Sequence, residues 1–593
     1  MKTLRLLPEP KRIRLRAGKF VPDASQPPAV SLDTACEERL MRKVRGLSDT
    51  VRVEAVPGFS LVWGNPEPIT EEERPRHPDG YALSVDKGGI RLIAPTARGL
   101  YYGWLTLQQL REEDDGFPAC LIQDEPCVSL RGIHLDFKAG VPTMAYLEET
   151  IIELSRYKIN LLLVEYEDRV PWGDEGWRHP HALTLTELER LQQVAHDHFV
   201  EVMPLQQTFG HLHYILRHDR WARFRELPDQ IGDLCPSHPE AVAYVAKLVE
   251  QMAAAHPRSR HIHLGADETF HLHACPRCRE RWGESGRETN YVHHVNRMAE
   301  LVRRHGKIPV IWDDMLRGMS DRSLDQLSRD ICLMVWCYYT GDRIHRQIDR
   351  HVERYRTFGF HLFGAGCIQG ADEHAFHLPN YRSRADNLAD WARRLARGSW
   401  EGAVGTAWAR YTSVHPPTEP FPVIWYGALL AAECFWTGQP PELTKVDDFV
   451  SRRLFGTATT IPFHRINPGH YANGLYDDPE AMEVLVSQAV RRRREAEMYR
   501  LMAKLRHLQL WTRHALEHGY RIDRGWSTRT ETAIVCGYVK EALRMADEWE
   551  QEALPVFTSF YRRQDAEEWL ASRLDPIRRQ AGDALKRWQG DGA

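Results

Sequence analysis

The sequence predicts an α/β protein built on a (β/α)8 TIM barrel, with an N-terminal α+β domain and a C-terminal helical region. From Arg131 onward, short apolar runs alternate with amphipathic segments of helical period, the pattern of βα units around a parallel sheet. Eight such units fit one closed barrel. No Gly-x-Gly-x-x-Gly motif follows any of the runs, so the alternative, a doubly wound open sheet with a nucleotide site, is less favoured.

The predicted domains cover residues 1–126, 127–438 and 439–593. In the first domain, apolar and polar residues alternate in short runs, which is the period of half-buried strands. The apolar positions of these runs are Ile13 and Leu15, then Val51, Val53 and Ala55, then Tyr81, Leu83 and Val85, then Ile90, Leu92 and Ala94. A helical pattern follows over residues 98–110, and the stretch 114–126, which contains Pro and Asp, marks the boundary.

The eight barrel strands are predicted from the apolar runs themselves. They lie at 132–137, 160–165, 200–206, 261–266, 309–312, 332–336, 361–367 and 404–408. Helices are predicted between them at 144–157, 185–198, 239–256, 291–305 and 385–396. Beyond Pro440 the sequence becomes helical and charged, and Leu501, Leu505, Leu508 and Trp511 share one helix face. We expect these C-terminal helices to pack on the barrel or to form an oligomer contact.

The composition argues against several classes of protein. The 78 basic and 82 acidic residues give a formal net charge of −4, so no overall field attracts nucleic acid or an anionic membrane. No segment approaches the roughly 20 apolar residues that span a bilayer, and the chain shows no apolar stretch of a secretory signal near its first residue. Eleven cysteines, an odd number scattered along the chain, suit a reducing compartment. We expect a cytoplasmic protein without nucleic-acid or membrane partners, and a homodimer is left open.

One short cluster offers metal-ligand residue types. His271 and His273 lie just before a Cys-x-x-Cys motif formed by Cys275 and Cys278, and these are ligand types suited to zinc. A structural zinc site usually draws its four ligands from two separated pairs, and no second Cys-x-x-Cys is present. Ordinary loop thiols are therefore favoured over a metal site.

Two adjacent acids, Asp267 and Glu268, follow the predicted fourth strand and are the strongest functional signal. Gly265 and Ala266 precede them and let the backbone turn tightly. Both carboxylates can then reach the carboxyl end of the barrel, where barrel enzymes hold their chemistry. A solvated surface pair is the plain alternative, and the neighbouring strand ends argue against it.

Those strand ends carry residue types that bind sugars. Three of them end in tryptophan, which is hard to explain by packing alone because barrel interiors favour branched aliphatics; these are Trp312, Trp336 and Trp408. Flat aromatic rings pack against the apolar face of a sugar. Arg131 on the first strand can hold two hydroxyls or form a rim salt bridge with Asp136. His211 after the third strand faces carboxylates and is a candidate for tuning one of them. The pattern predicts a carbohydrate pocket.

The chain resembles the family 20 glycoside hydrolases, the β-N-acetylhexosaminidases, through an ordered set of motifs. These are Arg131-Gly-x-x-x-Asp136, Gly210-His211, His263-x-Gly265-Ala266-Asp267-Glu268, Trp312-x-Asp314 and Trp408. Glu165-Tyr-Glu-Asp168 and Gln207-Thr-Phe-Gly-His211 are most similar to the D-type hexosaminidase branch. Residues 80–110 also resemble the small α+β domain that precedes the barrel in this family, and the similarity covers roughly residues 75 to 420.

The resemblance implies an exo-acting enzyme that removes terminal β-linked GlcNAc or GalNAc from a glycan or glycoconjugate. The mechanism would be retaining and substrate-assisted, with the acetamido oxygen attacking C1 and with no cofactor or metal. Glu268 would be the general acid and then the base, its pKa raised by burial and by Asp267, and Asp267 would orient the acetamido group. The resemblance also implies that His211 polarises the acid and is itself held by Asp168 or Glu167. Arg131 and Asp314 would be polar sugar ligands, and Glu419 a ligand for O4 or O6. The walls of the pocket would be formed by Trp312, Trp336 and Trp408.

Two departures from the family pattern bear on these roles. Many members place a tyrosine after the seventh strand to bind the acetamido oxygen, but residues 363–369 contain none, and Tyr338 of the sixth strand is the replacement we expect. The family often shows Trp-x-Glu where this chain has Trp408, Ala409 and Arg410, which weakens the assignment of Glu419.

Two other functions stay open at this point. One is a metal-dependent hydrolase on the same barrel that uses His261, His263 and Asp267, with the Cys275 cluster as a further source of ligands. The other is a non-catalytic protein that binds amino sugars. Chelator sensitivity would favour the first, and turnover of a nitrophenyl amino sugar would eliminate the second.

Overall fold

The predicted fold class is confirmed by the computed structural model, which describes residues 4–22, 28–31, 52–54, 59–111, 116–370, 377–466 and 479–589. Within these ranges the chain forms a sheet domain, a closed barrel of parallel strands and a set of long C-terminal helices. The domain boundaries proposed from the sequence stay a prediction.

The N-terminal domain is a sheet covered by one helix. Its strands in the described ranges are β1 Arg12–Phe20, β2 Ala29–Ser31, β3 Arg52–Glu54, β4 Phe59–Gly64, β5 Tyr81–Val85, β6 Gly89–Ala94 and β7 Phe117–Asp124. They are ordered β1-β7-β5-β6-β4-β2-β3, and neighbours are antiparallel except for β2 and β3. The helix Ala97–Arg111 packs its apolar face, including Leu100 and Leu107, on this sheet. Val51 and Ala55, expected in a strand, lie outside the described residues.

The barrel is formed by strands that pair with their sequence neighbours around a closed ring. Its strands are β8 Leu130–Asp136, β9 Leu161–Glu165, β10 Glu201–Leu205, β11 His261–His263, β12 Ile308–Trp312, β13 Cys332–Trp336, β14 Leu362–Gln369 and β15 Gly402–Ala407. Every neighbouring pair is parallel, and β15 pairs with β8 to close the ring. Alternate residues such as Leu161, Leu163 and Met203 fill the interior, as expected for a barrel of this size.

Helices follow the strands around the outside of the barrel. The longer ones are Met144–Arg156, Leu185–Asp197, Pro239–Ala255, Arg287–Arg304, Asp342–Thr357, Tyr381–Leu395 and Trp425–Thr437. Shorter helices, His213–Leu216, Pro276–Trp282 and Asp321–Gln326, lie in loops at the carboxyl end of the strands. Across the described residues, no helix combines the length and the apolar character needed to cross a membrane.

The amino end of the barrel is closed by the N-terminal domain. Lys158 Nζ lies 3.0 Å from Asp124 Oδ2, at the end of β7, and both side chains are buried. Asp124 also accepts hydrogen bonds from the Tyr81 hydroxyl at 2.7 Å and from Trp436 Nε1 at 2.9 Å. A polar network therefore joins the two domains, and the carboxyl end of the barrel is left for a site.

The C-terminal helices pack along the barrel flank and reach its loops. They are Leu443–Phe449, Pro479–Gln488, Arg493–His518, Arg529–Thr558 and Arg563–Gln589. Asp565 pairs with Arg169 after β9 at 2.7 Å and accepts a hydrogen bond from the Val141 backbone after β8. Arg573 donates to the carbonyls of Pro417 and Thr418 after β15. This region therefore braces three loops at the carboxyl end of the barrel.

Candidate active site

The two acids after β11 lie in a backbone turn that the preceding residues make possible. Gly265, Ala266 and Glu268 have φ angles of 65°, 70° and 44°. The positive φ angle favours glycine at Gly265, and a Cβ there would also lie 1.9 Å from Gln207 Oε1, so that side chain would have to move. Ala266 and Glu268 adopt a costly conformation, which is held by Tyr291 donating to the Ala266 carbonyl at 2.8 Å. The tight turn expected from Gly265 and Ala266 is present.

His211 lies between the two carboxylates. Its Nε2 is 3.3 Å from Asp267 Oδ2 and 3.4 Å from Glu268 Oε2. Gly210 allows this approach, because a Cβ there would lie 2.6 Å from the Asp267 carbonyl oxygen. Burial would lower the pKa of His211, but the two carboxylates outweigh it and raise that pKa well above its ordinary value. His211 is therefore a cation shared by both acids.

The pKa of Glu268 moves in the direction opposite to the one expected. Burial would raise this pKa, but hydrogen bonding and charge from His211, with a further bond from the Tyr411 hydroxyl, lower it. Tyr411 lies 3.1 Å from Glu268 Oε2 and was not among the residues singled out from the sequence. The expectation of a raised pKa for Glu268 is wrong, because the neighbouring His211 cation stabilises the ionised carboxylate.

The proposed relay to His211 through Asp168 or Glu167 is also wrong. Asp168 pairs with Arg169 at 3.4 Å and Arg217 at 3.8 Å. Both Glu167 oxygens lack a hydrogen-bond partner in the described residues. Burial raises the Glu167 pKa well above its usual range, with Glu165 and Asp168 adding to the effect and Lys138 opposing it. Neither group holds His211, because Asp168 pairs with the two arginines and His211 contacts Asp267 and Glu268 instead.

The three tryptophans and Tyr338 gather on one side of the barrel mouth. Trp408 Nε1 donates to the Tyr338 hydroxyl at 3.1 Å, and Tyr338 packs on Trp336 with ring centroids 5.0 Å apart. Trp312 is fully buried and lies 5.9 Å from Trp408 between ring centroids. These four residues form an aromatic wall, and because Trp336 and Trp408 are half-buried, the wall has a face available to a ligand.

Asp314 supports this wall and the acidic turn at the same time. Its Oδ2 accepts the Glu268 backbone N–H at 3.0 Å, and its Oδ1 accepts the Trp336 indole N–H at 3.2 Å. Burial, with the nearby charges of Asp267 and Asp313, raises the pKa of Asp314 to about 7. Both oxygens have protein partners, so Asp314 positions the acidic turn and the Trp336 ring, and its role as a sugar ligand stays a prediction.

Arg131 does not lie in the pocket, which corrects the expectation that it binds sugar hydroxyls. It is the second residue of β8, and a strand rises by about 3.3 Å per residue, so it lies roughly 16 Å from the strand's carboxyl end. Its guanidinium is buried at the amino end of the barrel. There it donates to the carbonyls of Lys158, Val128 and Ser129 and to the Tyr102 hydroxyl. Arg131 is a structural residue.

Glu419 is a buried residue of the loop that follows β15. Burial lowers the pKa of Arg573 to about 10, and the charge of Glu419 opposes this effect. Its role as a sugar ligand stays a prediction.

Lys138 is a buried cation near the aromatic wall that the sequence analysis did not identify as a site residue. Lys138 Nζ lies 3.2 Å from Asp136 Oδ2, 3.0 Å from Glu165 Oε2 and 4.8 Å from the centre of the Trp408 ring. Burial would lower the pKa of Lys138, but these carboxylates raise it, so the lysine is charged. The available signal was the spacing of Asp136 and Lys138 at the end of the first strand.

The two histidines and the two cysteines that the sequence offered as a less favoured metal cluster do not meet in the structure. His271 pairs with Asp233 at 3.0 Å, and His273 bonds to the Gly283 carbonyl at 2.8 Å, so neither histidine faces the thiols. Cys275 and Cys278 instead meet two residues of the preceding loop, Cys235 and Glu226. The sequence reasoning missed these two because Cys235 and Glu226 lie 40 and 49 residues before Cys275 in the chain.

The residues of the metal-dependent alternative do not converge. His261 bonds to Glu201 at 2.8 Å, and the His263 ring packs on Trp312 at 4.5 Å between centroids. In the described part of the chain, neither joins Asp267 in a group that could hold a metal ion.

Comparison with known proteins gives a consistent result. Residues 3–125 match the model described as glycosyl hydrolase family 20, domain 2, and residues 129–353 match that of the family 20 catalytic domain. Hexosaminidase D of Homo sapiens is 30% identical over 300 residues, which are 48% of this chain and 60% of that protein. Hexosaminidase D of Bos taurus is 30% identical over 312 residues, 50% of this chain and 88% of that protein.

Solved structures share the fold. The β-N-acetylhexosaminidase of Bacteroides fragilis superposes with a TM-score of 0.57 at 16% identity, covering 76% of this chain and 94% of that one. At this identity the similarity shows the architecture alone. The chain spans less than two thirds of the human relative and most of the bovine one.

Proposed function

Because the chain belongs to glycosyl hydrolase family 20, we propose that it is an exo-β-N-acetylhexosaminidase that removes terminal β-linked GlcNAc or GalNAc by a retaining, substrate-assisted mechanism. The observation that carries this proposal is the convergence of Asp267 and Glu268 on one nitrogen of His211, at the carboxyl end of the barrel. The two acids lie side by side and can take different roles toward one sugar. Its partner is an amino-sugar glycan or glycoconjugate.

In this proposal Glu268 delivers the proton to the glycosidic oxygen. The His211 cation lies 3.4 Å away and can pass its proton to Glu268 when a substrate displaces the resting contacts. The C1–oxygen bond then breaks as the substrate's acetamido oxygen attacks C1, giving an oxazolinium ion and a protonated leaving group. In the second step Glu268 takes a proton from water, which attacks C1 and regenerates the acetamide.

Asp267 is suited to the acetamido nitrogen. Its Oδ2 is taken by His211, whereas its buried Oδ1 has no hydrogen-bond partner in the described residues. A buried carboxylate oxygen without a donor is costly, so a ligand N–H placed there is stabilising. Accepting the acetamido N–H would also stabilise the positive charge that develops in the oxazolinium ion.

The aromatic wall would hold the rest of the amino sugar. Trp336 and Trp408 offer half-buried faces for the ring and the acetamide methyl. Tyr338 accepts the Trp408 indole N–H, so its own proton can be donated to the acetamido oxygen. This is the role that a tyrosine after the seventh strand fills in many family members.

We also propose a cytoplasmic location and no need for nucleic-acid or membrane partners. All ten cysteines in the described residues are free thiols, which suits a reducing compartment. A homodimer stays a prediction.

The proposal is tested by comparing nitrophenyl β-glycosides that differ at C2. We expect turnover of the GlcNAc or GalNAc glycoside, and a kcat/KM lower by about 100-fold or more for the plain glucoside, which lacks the internal nucleophile. Parallel assays of the two amino sugars identify the preferred configuration. Equal kcat/KM for the plain glucoside would contradict substrate assistance, and no turnover of either amino sugar would leave only a binding role.

Glu268→Gln tests the proton donor. Its kcat should fall by about 10²–10⁴-fold on a β-linked disaccharide, whose sugar leaving group needs protonation, and by less on a nitrophenyl glycoside. Binding of the free amino sugar should change little, because protonation is a transition-state term. Near-normal turnover of the disaccharide by this variant would overturn the assignment.

A further inference from the structure

Three cysteines and one glutamate form a compact buried cluster beside the candidate active site. Cys235 Sγ lies 3.6 Å from Cys275 Sγ and 3.7 Å from Cys278 Sγ, and Glu226 Oε2 lies 3.4 Å from Cys278 Sγ. The four donor atoms all lie within 4.8 Å of one another. Glu226 is only 2% exposed.

These distances match the ligand shell of a tetrahedral zinc ion. A zinc–sulfur bond is about 2.3 Å, so two sulfurs on a tetrahedral ion are about 3.8 Å apart. A disulfide needs about 2.05 Å between sulfurs, far less than the separations here, and would leave one thiol unpaired. A buried carboxylate facing three sulfurs is costly without a cation to neutralise it.

Groups around the cluster already orient the ligands. The Cys278 backbone N–H donates to Cys275 Sγ at 3.3 Å, and Glu226 Oε1 accepts the Cys275 backbone N–H at 2.8 Å. Ser237 Oγ lies 3.3 Å from Cys278 Sγ and is itself fixed by the Trp282 indole N–H at 3.1 Å. Outer contacts of this kind hold metal ligands in place in known zinc sites.

We propose that Glu226, Cys235, Cys275 and Cys278 bind one Zn²⁺ ion in a closed, structural site. Binding replaces the three thiol protons, which pass to solvent, with three zinc–sulfur bonds, and the carboxylate oxygen supplies the fourth bond. Thiolate ligands select zinc over the hard cations Mg²⁺ and Ca²⁺. With four protein ligands the ion has no open position for substrate.

The ion would join the two loops that carry the proposed chemistry. Glu226 and Cys235 belong to the segment after β10 that begins near His211, whereas Cys275 and Cys278 belong to the segment after β11 that contains Glu268. Next to the cluster, Asp233 accepts the His271 backbone N–H at 2.8 Å, which ties the same two segments. This consequence rests on the proposed function: the zinc ion would keep His211 against the two acids.

The first test measures metal in the full chain. Protein that is purified without a chelator and then dialysed should contain about one zinc ion per chain, measured by inductively coupled plasma mass spectrometry. The Cys235→Ser and Cys275→Ser variants should lose most of it, and the matched control Cys536→Ser, a buried thiol of the helix Arg529–Thr558, should retain it. Zinc-free wild type, or equal zinc in all variants, would overturn the proposal.

A second measurement does not depend on whether the variants fold. Wild-type protein stripped of metal and reloaded with Co²⁺ should show intense visible d–d bands and a near-ultraviolet sulfur-to-cobalt band, the signature of tetrahedral thiolate ligation. Alkylation of the unfolded chain should find Cys235, Cys275 and Cys278 reduced. Missing cobalt bands, or a disulfide between two of these cysteines, would overturn the site.

Measuring hydrolysis and thermal stability with and without zinc distinguishes a failure of the zinc site from a failure of the proposed function. Stripped protein should lose thermal stability and hydrolysis together, and both should return with Zn²⁺. Zinc bound without any hydrolysis of amino sugars would contradict the function and leave the site intact. Full hydrolysis and unchanged stability in zinc-free protein would contradict the site and leave the function intact.

Discussion

His211 holds the proton that the two neighbouring carboxylates attract. Its Nε2 contacts Asp267 and Glu268 at nearly equal distances, so both carboxylates favour the protonated imidazole. His211 keeps its proton to a pH well above the usual histidine range, because the two carboxylates outweigh the effect of burial on its pKa. Above that pH no group remains to protonate the glycosidic oxygen.

His211→Asn should move the alkaline limb of the kcat/KM profile to lower pH. Without the cation, Glu268 must hold the catalytic proton by itself, and its pKa depends on burial beside a second carboxylate. His213→Asn is the matched control. Burial, helped by the nearby charge of His211, lowers the pKa of His213 to about 4, so this histidine is neutral. Profiles of kcat/KM on a nitrophenyl amino sugar measure the shift, and an unmoved alkaline limb in His211→Asn would contradict the shared proton.

Among the elements, the helix Arg563–Gln589 has a clear influence on the site. Arg573, on this helix, donates to the Pro417 and Thr418 carbonyls in the loop after β15. That loop begins at Trp408 and includes Tyr411, which contacts Glu268. The helical region therefore fixes one edge of the pocket from outside the barrel.

Arg573→Gln should lower the free energy of unfolding by about 2–4 kcal/mol, since hydrogen bonds from a buried charged donor contribute about 1.5–3 kcal/mol each. It should also raise KM, because the loop loses its anchor. Arg578→Gln on the same helix is the control, and its partly exposed pairs with Asp547 and Glu550 should contribute only about 0–1 kcal/mol. Urea denaturation and steady-state kinetics measure both effects, and equal losses in the two variants would argue against the anchor.

For the whole molecule, the junction between the sheet domain and the barrel depends on a buried ion pair. Lys158 and Asp124 are both nearly inaccessible, and Tyr81 and Trp436 complete the hydrogen bonds of the carboxylate. Burial lowers the pKa of Lys158, with Asp124 opposing the effect. The pair therefore joins the domains at a desolvation cost, and losing one partner leaves the other charge buried.

Lys158→Met should destabilise the chain by about 3–5 kcal/mol, the usual cost of an uncompensated buried charge. Lys11→Met is the control, because Lys11 pairs with Glu125 at 3.2 Å on the surface, where such pairs contribute about 0–1 kcal/mol. The readout is urea denaturation followed by circular dichroism. A loss for Lys158→Met no larger than that for Lys11→Met would mean that the junction does not depend on this pair.

Much of the fold and the centre of the candidate site could be predicted from the sequence, because the signals are local. The eight strands appear as apolar runs between helical periods, and each observed strand overlaps its predicted run. The fourth strand stops at His263, earlier than predicted, because Gly265 and Ala266 take positive φ angles. That same turn presents Asp267 and Glu268 to the barrel mouth.

The sequence by itself determined the barrel and the acidic turn, since a residue's neighbours along the chain set strand period and backbone conformation. Only the tertiary structure decided which distant residues meet there. Tyr411 reaches Glu268 across 143 positions, and Cys235 reaches Cys275 across 40. The error over Arg131 had a different cause, because its place at the start of the first strand already put it at the amino end of the barrel. Closing the ring brings separate loops together at one end, and no local pattern in the sequence records which side chains then touch.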